Sequence, residues 1–304
     1  DTYTYNNVLK AYKQSGAPAE RALQLLREMD HPNRLSFTLG IQILCHNNEI
    51  EKAHALLNFM KRQSEDQQPD CATYTSLIDG WAYFARNADL EEDRRRALAS
   101  VFQLFKDMKT RDAKPNSLTY TSVLKAVAAA RKPYSGQVAE DIIKEMRSSR
   151  DIGPNTIHYN AALNCHARTG SATQAMDALR LWQEMQEAGL SCDTTTYNTI
   201  LSAASDAFGP ADVRRKSLQV GLDAYEALEQ DESCQATSLT YYYYFKMLRR
   251  LMNDDSKRSE LLTSAVQSCR ADECITHQVV RQLEFLVSAA EIAVLAKEVS
   301  AGRF

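Results

Sequence analysis

The most reactive side chains in this sequence are six histidines and seven cysteines, and their spacing argues against catalysis. Metal or nucleophilic chemistry needs ligand-like intervals, and His31, His46, His54, His158, His166 and His277 stand at none with Cys, Asp or Glu. Cys165 and His166 are neighbours, which on a helix points their side chains about 100° apart, a poor nucleophile and base. Cys45, Cys71, Cys165, Cys192, Cys234, Cys269 and Cys274 form no Cys-x-x-Cys pair. They read as reduced thiols serving as small core residues in an intracellular compartment. No Gly-rich phosphate loop is present. The chain is expected to be no enzyme and to need no cofactor or metal.

What recurs is hydrogen-bonding chemistry on small polar side chains. A Ser, Thr or His, an aromatic and then Asn or Thr open each copy of a phrase at Thr4-Tyr5-Asn6, Ser36-Phe37-Thr38, Thr73-Tyr74-Thr75, Thr119-Tyr120-Thr121, His158-Tyr159-Asn160 and Thr196-Tyr197-Asn198. Each copy closes on a Met or Leu and a turn: Met29…Pro32-Asn33, Met60…Pro69-Asp70, Met108…Pro115-Asn116, Met146…Pro154-Asn155, Met185…Cys192-Asp193 and a degenerate Leu228…Ala236-Thr237. Self-similarity on this scale means stacked supersecondary units, none of which buries its apolar face alone.

The elements that position these residues follow from periodicity. In the fourth copy Tyr120, Val123, Leu124 and Val127 recur at helical spacing, a polar break spans Arg131 to Gly136, and Ala139, Ile142, Ile143 and Met146 resume it. Each copy is therefore an αα-hairpin. Thr119 is placed to cap the first helix, and Pro154-Asn155 to stop the second. Openings are 32, 37, 46, 39, 38 and 44 residues apart when the run is carried to Thr240, with the excess expected between helices or after the second. The longest insertion, 85–96, has nearly balanced charges and reads as a solvated loop. Leu239-Thr240-Tyr241 opens a seventh hairpin ending near Cys269, and Gln278 to Val299 reads as one or two terminal helices capping the stack.

Composition agrees. The 304 residues are 44% hydrophobic and 25% charged, with 10 Gly and 7 Pro, ordinary for a folded helical chain. No apolar stretch approaches the roughly 20 residues of a membrane span, so no membrane insertion is expected. A net charge of −3 excludes a strong polyelectrolyte binder, so any nucleic-acid affinity must come from local geometry. Because the first copy starts at once and no Met precedes it, further sequence upstream of Asp1 is expected.

These phrases resemble the pentatricopeptide repeat, in its P-type form, over residues 2 to 237 and more weakly to 272. The resemblance implies an all-α, right-handed α-solenoid of about six to seven hairpins plus C-terminal capping helices. Its units are 2–33, 34–70, 71–116, 117–155, 156–193, 194–237 and a degenerate 238–272, followed by the cap at 273–304. It also implies single-stranded RNA as partner, one base per unit, with Thr favouring purines and Asn pyrimidines after the aromatic. The residue after the closing Pro separates keto from amino bases. The implied pairs are Asn6/Asn33 for C, Thr38/Asp70 for G, Thr75/Asn116 and Thr121/Asn155 for A, Asn160/Asp193 for U, and Asn198/Thr237 for a pyrimidine. A parallel array would then read 5′-C-G-A-A-U-Y-3′.

By the same resemblance, bases are sandwiched at Tyr3, Leu35, Leu118 and Ile157, with Ala72 and Thr195 weak. The phosphate-facing positions are Gln14, His46, Tyr83, Ala129, Arg168 and Asp206. Of these Arg168 serves, with His46 when protonated, aided by Lys10, Lys13 and Lys125 from adjacent faces. A cytidine-deaminase extension would need His-x-Glu and Cys-x-x-Cys, and an aspartate-rich nuclease domain would need strands; the sequence offers neither. The run Tyr241-Tyr242-Tyr243-Tyr244-Phe245 either wedges the last hairpin against the cap or places Tyr242, in a base-reading slot, against a further base.

Two functions stay open. One is an RNA-binding module of a mitochondrion or plastid, acting in RNA processing, stabilisation or translation by occupancy. The other is a scaffold subunit of an organellar ribosome or similar complex, contacting proteins or folded RNA. Acidic pI, irregular spacing and few phosphate-facing cations favour the scaffold. Intact reading pairs favour RNA, since a structural array is expected to have no physical reason to keep them.

Overall fold

The computed structural model describes residues 1–149 and 151–288, together with 292 and 296. Among them are fifteen α-helices and one short 3₁₀ turn, Glu65–Gln67, and no strand. The expected terminal helices up to Val299 therefore lie partly outside the described residues.

The chain divides into two compact units, residues 1–132 with 138–154, and residues 133–137 with 155–304. In the first, α1 (Thr2–Ser15) pairs with α2 (Ala19–Glu28), α3 (Arg34–His46) with α4 (Ile50–Met60), and α5 (Cys71–Asn87) with α6 (Glu91–Thr110). Next come α7 (Ser117–Ala130) and α8 (Ser135–Ser148), the latter contributing Val138 onward to this unit. The second unit holds the pairs α9 (Thr156–Ala167) and α10 (Gln174–Glu187), α11 (Thr194–Ser205) and α12 (Ala211–Gln230), and α13 (Ser238–Leu251) and α14 (Asp255–Ala271), then α15 (His277–Leu283). Within each unit the first helices pack in succession, α1 on α3 on α5 on α7, and α9 on α11 on α13 on α15.

The repeated closing residue plugs each hairpin: Met60, Met108, Met146 and Met185 are fully buried and Leu228 nearly so. One turn earlier, an aromatic on the second helix meets the next opening aromatic edge-on, Phe105 against Tyr120 at 5.4 Å and Trp182 against Tyr197 at 6.0 Å. Such pairs contribute about 0.5–1.5 kcal/mol beyond area burial. Close approach of α3 and α5 requires Gly80, because a Cβ there would lie 2.9 Å from Cys45 Cβ.

Helix starts follow one device. The last residue of the closing phrase is the N-cap, and the Ser, Thr or His of the opening phrase is the third helical residue. Asn33/Ser36, Asp70/Thr73, Asn116/Thr119, Asn155/His158, Asp193/Thr196 and Thr237/Thr240 are all reciprocal capping boxes. Thr119 is thus not the cap that its position suggested. Asn116 Oδ1 accepts the Thr119 N–H at 2.9 Å, while the Asn116 N–H donates to Thr119 Oγ1 at 3.1 Å.

Nor does the closing Pro stop the second helix. α6 ends at Thr110, ahead of Pro115, through left-handed Asp112 (φ 56°) and an Ala113 N–H to Met108 carbonyl bond of 3.0 Å. This wrap-around bond is the Schellman termination. Gly189 (φ 69°) and the Leu190 N–H on Met185 O repeat it after α10.

The expected loop at 85–96 is mostly helix. α5 runs to Asn87 and α6 starts at Glu91, so the extra length of this copy extends both helices. Glu91, Glu92 and Asp93 occupy the first turn of α6, where the helix dipole favours carboxylates. Arg94 folds back onto the Ala88 and Asp89 carbonyls and Arg96 pairs with Glu51 on α4.

Three measurements test this construction. Asp70→Asn keeps the capping oxygen and leaves the urea midpoint unchanged, whereas Asp70→Ala lowers stability by about 1 kcal/mol. Gly80→Ala, which gains about 1 kcal/mol in a free helix, instead lowers stability by about 1–3 kcal/mol through overpacking on Cys45. His54 Nδ1 accepts the Trp81 Nε1–H at 3.3 Å, and burial, then the Lys61 charge, hold its pKa below the ordinary 6.5. A depressed histidine stabilises the fold above the unfolded value, so this contribution falls away as pH drops below about 6.5. Thermal melts between pH 7.5 and 5.5 will show a steeper decline for the wild-type chain than for His54→Gln.

Candidate functional site

The six residues that follow the opening aromatic are all buried, and five of them bond to the next copy's capping box. Asn160 Nδ2 donates to Asp193 Oδ1 at 2.9 Å, and its Oδ1 accepts from Thr196 Oγ1 at 2.7 Å. Asn198 repeats this with Thr237 at 3.3 Å and Thr240 at 2.7 Å. Thr38 and Thr75 place their hydroxyls 2.8 and 2.7 Å from those of Thr73 and Thr119. Asn6 Nδ2 donates to Asn33 Oδ1 at 3.3 Å, leaving its own Oδ1 buried without a partner because Ser36 turns its hydroxyl to Asn33. Thr121 donates to the Ser117 carbonyl at 3.0 Å; it and Asn155 belong to different compact units.

The closing residues are therefore half-occupied. Asp70 and Asp193 use Oδ1 as the cap, and among the described residues Oδ2 makes no hydrogen bond. Asn33 and Asn116 likewise cap through Oδ1, which fixes the amide so that Nδ2 points away from the box. Capping thus leaves an acceptor at Asp and a donor at Asn. The expectation that a purely structural array has no reason to keep these pairs fails here: the capping network is such a reason. Sequence reading missed it because each partner lies about a full copy away.

In the first unit these groups share a groove of about 650 Å³. It brings together Ala72, Thr75, Tyr83 and Asn116 of the third copy with Lys13, His46 and Leu118 of its neighbours, so positions expected to read, sandwich and meet phosphate converge. Asp79, Gln42 and Ser76 also line it. The residues expected to sandwich bases are exposed, whereas those three positions on are buried: Tyr3 is 74% accessible, Leu118 and Ile157 59%, and Leu35 43%. Leu239 occupies the same register at 46%, a member of the set that the sequence reading left out.

Cations are sparse and partly spoken for. Lys10 is exposed, Lys125 lies 3.8 Å from Asp79, and Arg168 Nε donates to Asn164 Oδ1 at 3.0 Å. Asp206, an anion at a phosphate-facing position, is met by Lys246 at 2.8 Å and Arg250 at 3.0 Å, leaving that cluster net positive. Those two cations were missed because the register was not carried into α13, where they stand five and nine residues after Tyr241, as Lys125 and Ala129 do after Tyr120.

The tyrosine run splits by face. Tyr241, Tyr244 and Phe245 are buried, with Tyr244 stacked on Tyr225 at 3.9 Å, while Tyr242 and Tyr243 are half-buried. All seven cysteines are free thiols, and burial pushes Cys45 and Cys269 up to about 12, far from reactive thiolates. Among the described residues no three His, Cys, Asp or Glu side chains converge as metal ligands, and no helix is long and apolar enough to cross a membrane.

Comparison with known proteins agrees with this architecture. A family profile described as the pentacotripeptide-repeat region of PRORP matches residues 48–178, and one for the PPR repeat family matches 154–206. A chloroplastic pentatricopeptide repeat-containing protein of Arabidopsis thaliana is 29% identical over 218 residues, 70% of this chain and 25% of its own length. The mitochondrial 15S rRNA processing factor CCM1 of Yarrowia lipolytica is 28% identical over 153 residues, 48% of this chain and 18% of its own length. The crystal structure of the pentatricopeptide repeat protein PPR10 in complex with an 18-nt psaJ RNA element superposes with a TM-score of 0.51 at 16% identity, covering 100% of this chain and 49% of that one. The chain thus spans about a quarter of the first of these relatives and half of the solved structure. With its capped hairpins, buried polar row and matching profiles, this chain belongs to the pentatricopeptide repeat family.

Proposed function

We propose that this chain is a sequence-specific, single-stranded RNA-binding module of P type, acting by occupancy in organellar RNA processing, stabilisation or translation. The observation that carries the proposal is the half-used cap. Asp70 and Asp193 present a carboxylate oxygen that can accept N1–H of guanine or N3–H of uracil. Asn33 and Asn116 present an amide N–H that can donate to N3 of cytosine or N1 of adenine. The size and bonding of the residue after the aromatic, Thr or Asn, then separates purine from pyrimidine, and the tract is 5′-C-G-A-A-U-Y-3′.

Exposed Tyr3, Leu35, Leu118 and Ile157 supply flat apolar contact between successive bases. Lys10, Lys125 and Arg168 meet the backbone. With so few cations, binding draws on base edges more than on counterion release and has a shallow salt dependence. Occupancy needs no covalent step: a bound array shields a transcript end from exonucleases or holds a segment unpaired for a ribosome or processing enzyme. The repeat array 2–272 is the reading surface in this proposal. Chloroplastic and mitochondrial relatives support an organellar location. A scaffold role is favoured by one observation, that the reading pairs also serve as internal caps.

Binding of labelled 5′-CGAAUC-3′ and its single-base variants decides between these. Thr75→Asn will move the preference at the third base from A to a pyrimidine, by about tenfold, roughly one hydrogen bond. Asn is accommodated at this register, since Asn160 and Asn198 already accept the hydroxyl proton of the following Thr at 2.7 Å. Equal affinity for all variants refutes sequence reading and leaves the scaffold.

A further inference from the structure

The seventh copy departs from the other six at the position after the opening aromatic, where they carry only Asn or Thr. Its opening aromatic is Tyr241, so Tyr242 occupies the register of Asn6, Thr38 and Asn198. The next helix, α15, starts with Thr276 as N-cap, but its third residue is Val279, which has no hydroxyl and forms no capping box. The bond that Asn6, Thr38, Thr75, Asn160 and Asn198 make to the next capping box therefore has no counterpart here. A half-buried aromatic ring stands in its place.

The first unit shows which registers line the groove. On α5 they are two before the aromatic (Ala72) and one, two, five, six and nine after it (Thr75, Ser76, Asp79, Gly80, Tyr83). Apart from that of Gly80, the same registers on α13 hold Leu239, Tyr242, Tyr243, Lys246 and Arg250. Leu239 is exposed, Tyr242 and Tyr243 lie edge to face at 5.3 Å, and Lys246 Nζ is 5.9 Å from the Tyr242 centroid and 6.0 Å from that of Tyr243. Lys246 and Arg250 are held side by side on Asp206, two cations on one anion. A flat π surface with an adjoining positive cluster suits a nucleotide: stacking for the base, charge for its phosphate.

We infer that Tyr242 stacks on a seventh base, 3′ to the tract read by the first six copies, without distinguishing its identity, while Lys246 and Arg250 hold the adjoining phosphate. Because every base has a π face and Tyr242 replaces the donor–acceptor pair, the site grips sequence-blind. This rests on the RNA-binding reading above and adds a clamp where coded recognition ends.

The test uses the whole chain and three sets of fluorescein-labelled RNA: the hexamer 5′-CGAAUC-3′, heptamers carrying A, C, G, U or an abasic residue at the added 3′ position, and a heptamer extended at its 5′ end. Each of the four 3′ bases is expected to tighten binding by about tenfold over the abasic heptamer, with less than threefold spread among them. Tyr242→Ala removes that difference and Tyr242→Phe retains it, while both bind the hexamer as the wild type does, which reports an intact fold. Lys246→Gln lowers affinity for all 3′ heptamers, abasic included. Hexamer binding with no gain from any 3′ base overturns the inference alone, as does a gain confined to one base or found equally at the 5′ end. No binding of any oligomer overturns the RNA-binding reading with it.

Discussion

The structure depends on a hydrogen bond about 3 Å long, between the side-chain oxygen of one residue and the backbone N–H three positions on. A helix start leaves four N–H groups without partners, and α3, α5, α7, α11 and α13 each pack against the preceding first helix. The Asn, Asp or Thr at the N-cap satisfies one of them, and the Ser, Thr or His at the third position answers with its own side chain. That third residue then accepts or donates a bond to the Asn or Thr of the preceding copy. One junction therefore fixes where a helix begins, how it lies on its neighbour, and how both polar side chains are turned.

Around this junction the division of labour is physical. Closing Met residues and edge-on aromatic pairs exclude water from the side where the second helices pack. The opposite side keeps small polar groups buried but bonded, with exposed aliphatic or aromatic residues one helical step away. Charge is nearly balanced there, with Asp79 facing Lys125 and Asp206 facing Lys246 and Arg250. In the RNA-binding role proposed above, such a surface would discriminate by hydrogen-bond direction, since unpaired buried donors and acceptors cost more than most exposed ion pairs contribute.

The helical hairpins were legible because 3.6-residue periodicity and the repeated Tyr and Met positions carry the same message in every copy. Helix boundaries were less so. Thr119 resembles an N-cap, yet its backbone is already helical, and only the bond to Asn116 distinguishes a third residue from a cap. The segment 85–96 has the charge density of a solvated loop, but Glu91, Glu92 and Asp93 favour a helix start, and Arg94 and Arg96 find partners on neighbouring turns. At the site, the register of Thr75 and Asn116 was readable from the phrase itself. Their second bonds were not, because Thr119 lies 44 positions from Thr75. The cations on α13, Lys246 and Arg250, follow Tyr241 at the intervals at which Lys125 and Ala129 follow Tyr120, so the same register contains them.

The choice between Asn and Asp at the cap has a consequence for descent. Both side chains keep the oxygen that starts the helix, and their codons differ at a single nucleotide. An array built this way can exchange one outward-facing group for its opposite in one mutational step, with no intermediate that folds less well. On the RNA-binding reading proposed above, lineages of such proteins can follow drifting targets position by position, because the part that varies is bonded to the fold through the atom that does not.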